Sequence, residues 1–179
     1  MTEKIALTFE DFTHWPTRAV ADPRRARQNQ FMDGMVEILS YEGPMQALNL
    51  FQTYAKAGGL MKVTAATRSK FERALKLGVK EGLITLEQET DTEITGEDDP
   101  VGWVCRLPHH ERVCVRTLGE RSFAEIPTSE LAALVLDIRA SDDLLGREDI
   151  YREVLAHYGL QKLTALVRRR LDHVIKSYF

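Results

Sequence analysis

The sequence predicts a mainly α protein with a small β-hairpin, assembled from two related helical units. Apolar residues recur at three- and four-residue intervals through most of the chain, the signature of helices with one buried face. Two short strand-like runs, residues 83–89 and 101–107, flank an acidic stretch rich in Thr, Gly and Asp. The stretch Gly59-Leu-Met-Lys-Val-Thr64 returns one hundred residues later as Gly159-Leu-Gln-Lys-Leu-Thr164. That register holds upstream, where Leu50-Phe51 falls on Ile150-Tyr151, and downstream, where Arg68 falls on Arg168 and Phe71 on Leu171.

With 179 residues, the chain can bury one substantial core or two small ones. Its 44% hydrophobic and 28% charged content is that of an ordinary soluble domain. No apolar run reaches the length of a membrane span. The N-terminus lacks the unbroken apolar core and small-residue cleavage site of a signal peptide, so a cytoplasmic protein with no membrane association is expected. Cys105 and Cys114 fit no zinc spacing and are too few for a disulfide framework, which predicts reduced thiols.

Residues 1–29 read as an N-terminal arm without regular structure. Its Phe9, Phe12 and Trp15 are expected to dock onto the body or onto a partner. The run Arg24-Arg25-Ala-Arg27 is either a solvated entry to the first helix or an arm for a phosphate backbone, with the solvated entry favoured. Phe31, Met35, Ile38 and Leu39 set a first helix over 30–41, which Glu42-Gly43-Pro44 ends. Proline also starts helices well, so the second helix is placed over 45–56, with Ala47, Leu48, Phe51, Tyr54 and Ala55 inward and Gly58-Gly59 as its stop.

Thr64 supplies a hydroxyl cap for the third helix, whose Phe71, Ala74, Leu75 and Gly78 line one face. Ser69, Lys70, Arg73, Lys76 and Lys80 line the opposite face, and Gly82 closes the helix. Three helices followed by a two-stranded hairpin make a winged helix, placed at 30–107. A linker over 108–127, with a further strand at 112–116, leads to a second unit at 128–179. There, helices at 130–140 (capped by Thr128 or Ser129), 148–158 and 165–178 form a helix-turn-helix without a wing.

The segment Ile38-Leu-Ser-Tyr-Glu-Gly-Pro-Met45, the Gly-Leu-x-Lys-x-Thr turn with its basic helix, and Glu81-Gly82-Leu-Ile84 resemble one domain family. It is the winged-helix domain at the C-terminus of some large bacterial superfamily-1 helicase-like proteins, often beside a nuclease module. Arg121, Glu125-Ile-Pro-Thr-Ser-Glu-Leu-Ala-Ala-Leu134 and Tyr158-Gly-Leu-Gln-Lys-Leu-Thr164 also resemble that family's ending, so the likeness covers roughly residues 35–179. It implies a fold and a helicase or nuclease context, not a set of site residues. The chain departs from such proteins in having no Gly-x-x-x-x-Gly-Lys-Ser/Thr phosphate loop, and in the length of its acidic insert.

No catalytic set is evident. The serines lie in no nucleophile-elbow pattern. His109-His110 are adjacent, and in an extended chain adjacent side chains point to opposite sides, so one metal ion is not expected to use both. Asp91, Glu93, Glu97, Asp98 and Asp99 lack the spacing of a calcium loop and read as a solvated tip. The expectation is a protein that is not an enzyme and uses no cofactor and no metal.

Two functions compete. In the first, the protein binds DNA, as a regulator or as an accessory of a helicase or nuclease. A basic recognition helix enters the major groove, with Lys70 and Arg73 at bases and Lys62 and Lys76 on phosphates. In the second unit Lys162, Arg168, Arg169, Arg170 and Lys176 are the candidates. One of the three consecutive arginines must lean to the core, and Arg169 and Lys176 are the favoured open positions. The second function is a protein-interaction module, an adapter or homodimerising winged helix that does not bind DNA. The aromatic N-terminal segment and the net charge of −3 favour it, and the seven carboxylates from Glu87 to Asp99 weigh against DNA binding.

Overall fold

The computed structural model describes residues 7–89 and 103–178. In chain order its elements are β1 (Phe9–Glu10), α1 (Gln28–Glu42), β2 (Met45–Gln46), α2 (Ala47–Ala57), α3 (Ala65–Lys80), β3 (Thr85–Glu87) and β4 (Val104–Arg106). There follow β5 (Val115–Arg116), a 3-10 turn at Phe123–Glu125, α4 (Thr128–Ser141), α5 (Arg147–His157) and α6 (Ala165–Tyr178). The described chain is thus mainly helical with two small sheets, and none of its helices is long and apolar enough to cross a membrane. It divides into two compact units, Thr13–Arg112 and Val113–Phe179, the latter joined by residues 7–12.

In the first unit the inner faces of α1, α2 and α3 enclose an aromatic centre. Phe71 sits 4.8 Å from the Phe31 ring, 5.0 Å from Phe51 in a stacked pair and 5.2 Å from Tyr54. A three-stranded antiparallel sheet in the order β2-β4-β3 closes the unit, with Cys105 between Met45 and Leu86. The start of α2 is later than expected from Pro44. Met45 and Gln46 form β2 instead, because β4 offers backbone partners that a local reading cannot supply.

Residues 13–27 are not loose. Trp15 is 1% exposed, its amide donates to Glu42 Oε1 at 2.9 Å, and its indole donates to Glu37 Oε1 at 3.2 Å. Further along, Pro23 packs so closely on Gly58 that a Cβ at that glycine would lie 2.4 Å from Pro23 Cδ. The arm expected over 1–29 is therefore divided: residues 13–27 wrap the first unit, while Phe9–Glu10 pair in parallel with β5 of the second.

The second unit packs α4, α5 and α6 around Leu131, Val135, Tyr151, Val154, Val167, Leu171 and Val174. Beside this core lies a buried ionic group. Glu130 accepts from Arg121 Nη1 and Nη2, both at 2.9 Å, and from Arg116 Nη2 at 3.1 Å and the Arg116 amide at 3.0 Å. The Phe12 ring lies 4.7 Å from the Arg121 guanidinium. Thr128, expected as a cap, is instead the first residue of α4, after Pro127, and its hydroxyl accepts from Arg170 Nη2 at 3.3 Å.

The internal repeat is longer than sequence identity shows. Helix starts at 28, 47 and 65 recur at 128, 147 and 165, so α1 and α4 belong to it as well. Its turns match bond for bond: Leu60 N donates to Ala55 O and Leu160 N to Leu155 O, each at 2.8 Å. Gly59 and Gly159 both hold the left-handed conformation this turn needs, at φ 84° and 66°. Thr64 and Thr164 then cap α3 and α6, accepting from the amides of Thr67 and Val167 at 3.3 Å.

Burial pushes the Tyr54 phenol up to about 12, with Asp33 adding to the shift. Burial and then the hydrogen bond to Asp172 do the same for Tyr151, and burial raises Tyr158 as well. The folded chain keeps these protons where the unfolded chain, near the ordinary value of 10.0, has lost them. Stability from these groups is complete below that value and declines as pH rises toward 12. At pH about 11 the tyrosinate absorbance near 295 nm should be smaller for the native protein than for the urea-unfolded chain.

Candidate nucleic-acid interface

The candidate surface of the first unit is built on the outer face of α3. Buried Phe71, Ala74, Leu75 and Gly78 fix the helix rotation, and that leaves Lys76 and Lys80 exposed and Lys70 half-buried. Arg73 is also exposed and folds back to donate from Nε to Ser69 O at 3.2 Å. Lys62, in the turn before Thr64, is exposed. Lys62, Lys76 and Lys80 make no ion pair among the described residues.

Lys70 Nζ donates to Arg24 O at 2.8 Å and so ties the basic run at Arg24–Arg27 to α3. Arg24 itself grips Asp22, Nε to Oδ1 and Nη2 to Oδ2 at 2.9 Å each, and this pairing holds the Asp22 carboxyl below its usual range. Arg25 and Arg27 remain exposed. Between them, Ala26 joins Gln28, Phe31, Lys70 and Arg73 around a cleft of about 200 Å³. The first turn of α1 opens here with no acidic residue, so its unpaired amides add positive potential. The sequence favours a solvated entry for the arginine run over an arm for a phosphate backbone. Its place beside Lys70 could not be read locally, because the linking bond spans 46 positions.

In the second unit the predicted residues separate. Lys162, Arg169 and Lys176 are exposed. Arg168 pairs with Glu148 of α5 at 3.1 Å and lies 5.3 Å from the Tyr151 ring. Its counterpart Arg68 pairs within its own helix, with Glu72 at 2.8 Å. Arg170 must be corrected: it is 2% exposed and donates to Phe123 O at 2.5 Å and Ile126 O at 2.7 Å. It is the arginine that turns to the core, since Val167, Leu171 and Val174 put position 170 on the buried side of α6.

The acidic insert is only partly described. Glu87 belongs to the hairpin, bridging Arg106 Nη2 and Arg112 Nε at 3.1 Å each, while residues 90–102 lie outside the described residues. The candidate carboxylates from Asp91 to Asp99 therefore lie outside them too. His109 and His110 do not point apart. Their rings stand edge-on 4.7 Å apart, because the chain turns there, with His110 N donating to Leu107 O at 3.0 Å. Among the described residues no three His, Cys, Asp or Glu side chains converge as a metal ion would require. Cys105 and Cys114 are both buried and unbridged, and burial pushes both thiols above their ordinary value.

No protein family, curated protein or solved structure matches the chain.

Proposed function

We propose that the protein is a non-enzymatic, winged-helix DNA-binding protein with α3 as its recognition helix. The element order α1-β2-α2-α3-β3-β4, with β2 and β3 on either side of β4, supports the winged-helix reading. The observation that carries the function is the exposed basic face of α3 joined to Arg25 and Arg27 through the Lys70–Arg24 bond. Lys70 and Arg73 meet base edges or adjacent phosphates, and Lys62, Lys76, Arg25 and Arg27 take the flanking backbone. The second unit adds Lys162, Arg169 and Lys176. A role beside a helicase or nuclease is the context that the family resemblance suggests.

A fluorescence-anisotropy titration of a labelled duplex tests this. Four phosphate contacts predict affinity falling roughly 100-fold between about 50 and 200 mM salt. Lys70→Glu with Arg73→Glu should weaken binding at least about tenfold and flatten the salt slope, whereas Arg68→Gln should change it little. Absence of binding to duplex and to single strand at low salt rejects the proposal.

A further inference from the structure

The second unit carries a feature that the basic surface does not use, an open groove of about 540 Å³ between α4 and α5. Ile138 of α4, Ala156 of α5, Leu145 and the half-exposed Phe9 of β1 give it apolar surface, and the buried Leu134 of α4 also lines it. Asp137, Asp142 and Glu153 stand around it, and among the described residues no Lys or Arg lines it. Asp137 and Glu153 make no ion pair among the described residues. His157 fixes one wall, with Nε2 3.3 Å from Arg116 O and its ring 6.1 Å from Phe9.

These carboxylates would repel a phosphate backbone, so the groove is no extension of the DNA surface. Its chemistry calls for apolar side chains flanked by cations. Its openness suits a segment of chain better than an enclosed small molecule, and an amphipathic helix laid in a groove meets that pattern. We infer that this groove docks a basic amphipathic segment of a partner protein, its apolar side chains on Phe9, Ile138 and Ala156 and its Lys or Arg side chains against Asp137, Asp142 and Glu153. The interaction is independent of the proposed DNA binding and stands if that proposal fails.

The probe is a fluorescein-labelled designed peptide of about four helical turns, with a Leu stripe and flanking Lys residues, titrated with the full chain. A scrambled peptide of the same composition is the control for charge alone. The expected result is saturable binding of the patterned peptide in the micromolar range, with the scrambled peptide at least about tenfold weaker. Ala156→Trp, which fills the groove, and Asp137→Lys with Glu153→Lys should each weaken binding about tenfold or more. Lys70→Glu with Arg73→Glu should leave it unchanged. If circular dichroism shows Ala156→Trp to be unfolded, the near-isosteric pair Asp137→Asn with Glu153→Gln decides. The inference is overturned if the patterned peptide does not bind, if both peptides bind equally, or if folded groove variants bind like the parent.

Discussion

Glu130→Ala lowers the stability of the Val113–Phe179 unit by about 3–5 kcal/mol, the usual cost of removing one partner from a buried ion pair. The Glu130 side chain is 2% exposed, and it faces the Arg116 and Arg121 side chains, which are 5% and 7% exposed. Alanine removes the carboxylate that both buried guanidiniums share. Against a typical total of about 5–15 kcal/mol, this change removes much of the unit's stability. Urea unfolding followed by far-UV circular dichroism should show an early loss of helix. Met at all three positions, 116, 121 and 130, should recover much of it, since apolar replacement avoids the desolvation cost. A Glu130→Ala midpoint equal to the parent's would mean that this network contributes little.

Phe71→Ala costs about 3–5 kcal/mol in the Thr13–Arg112 unit. Its ring is fully buried and contacts the Phe31, Phe51 and Tyr54 rings, one from α1 and two from α2, so truncation leaves a cavity where three helices meet. Both tryptophans, Trp15 and Trp103, lie in this unit, and Trp15 shares the core with Phe71. Tryptophan fluorescence therefore reports its unfolding, and the urea midpoint read that way should fall sharply. Arg73→Ala, on the opposite face of the same helix, should change the unit's stability by no more than about 0.5 kcal/mol and so leave that midpoint near the parent's.

Some of the residues singled out in the sequence have structural reasons. Arg121 and Glu130 form the buried network, and Glu42 of Glu42-Gly43-Pro44 receives the Trp15 amide. They build the fold, while Arg73, Lys76 and Lys80 of α3 stay on the surface. The periodic apolar faces of α3 and α6 were legible, and so were their Thr caps and the Gly turns, because each is a local pattern of a few residues. The Lys70–Arg24 tie was not legible, nor were β2, the anchoring of Trp15 or the burial of Arg170. Each depends on a partner more than a dozen positions away. The three arginines Arg168, Arg169 and Arg170 look alike in the chain. The hydrophobic stripe of α6 implies that one of them turns inward, but only the carbonyls of Phe123 and Ile126 show that Arg170 has a destination there.

Neighbours along the chain suffice for a mainly helical protein with an internal repeat, since periodicity, caps and glycine turns are local patterns. Long-range packing settles where the repeat begins, which cations reach the surface and which turn inside. Those outcomes follow from long-range pairing and burial. Folding charges a group with desolvation or leaves it in water according to contacts that no local stretch encodes.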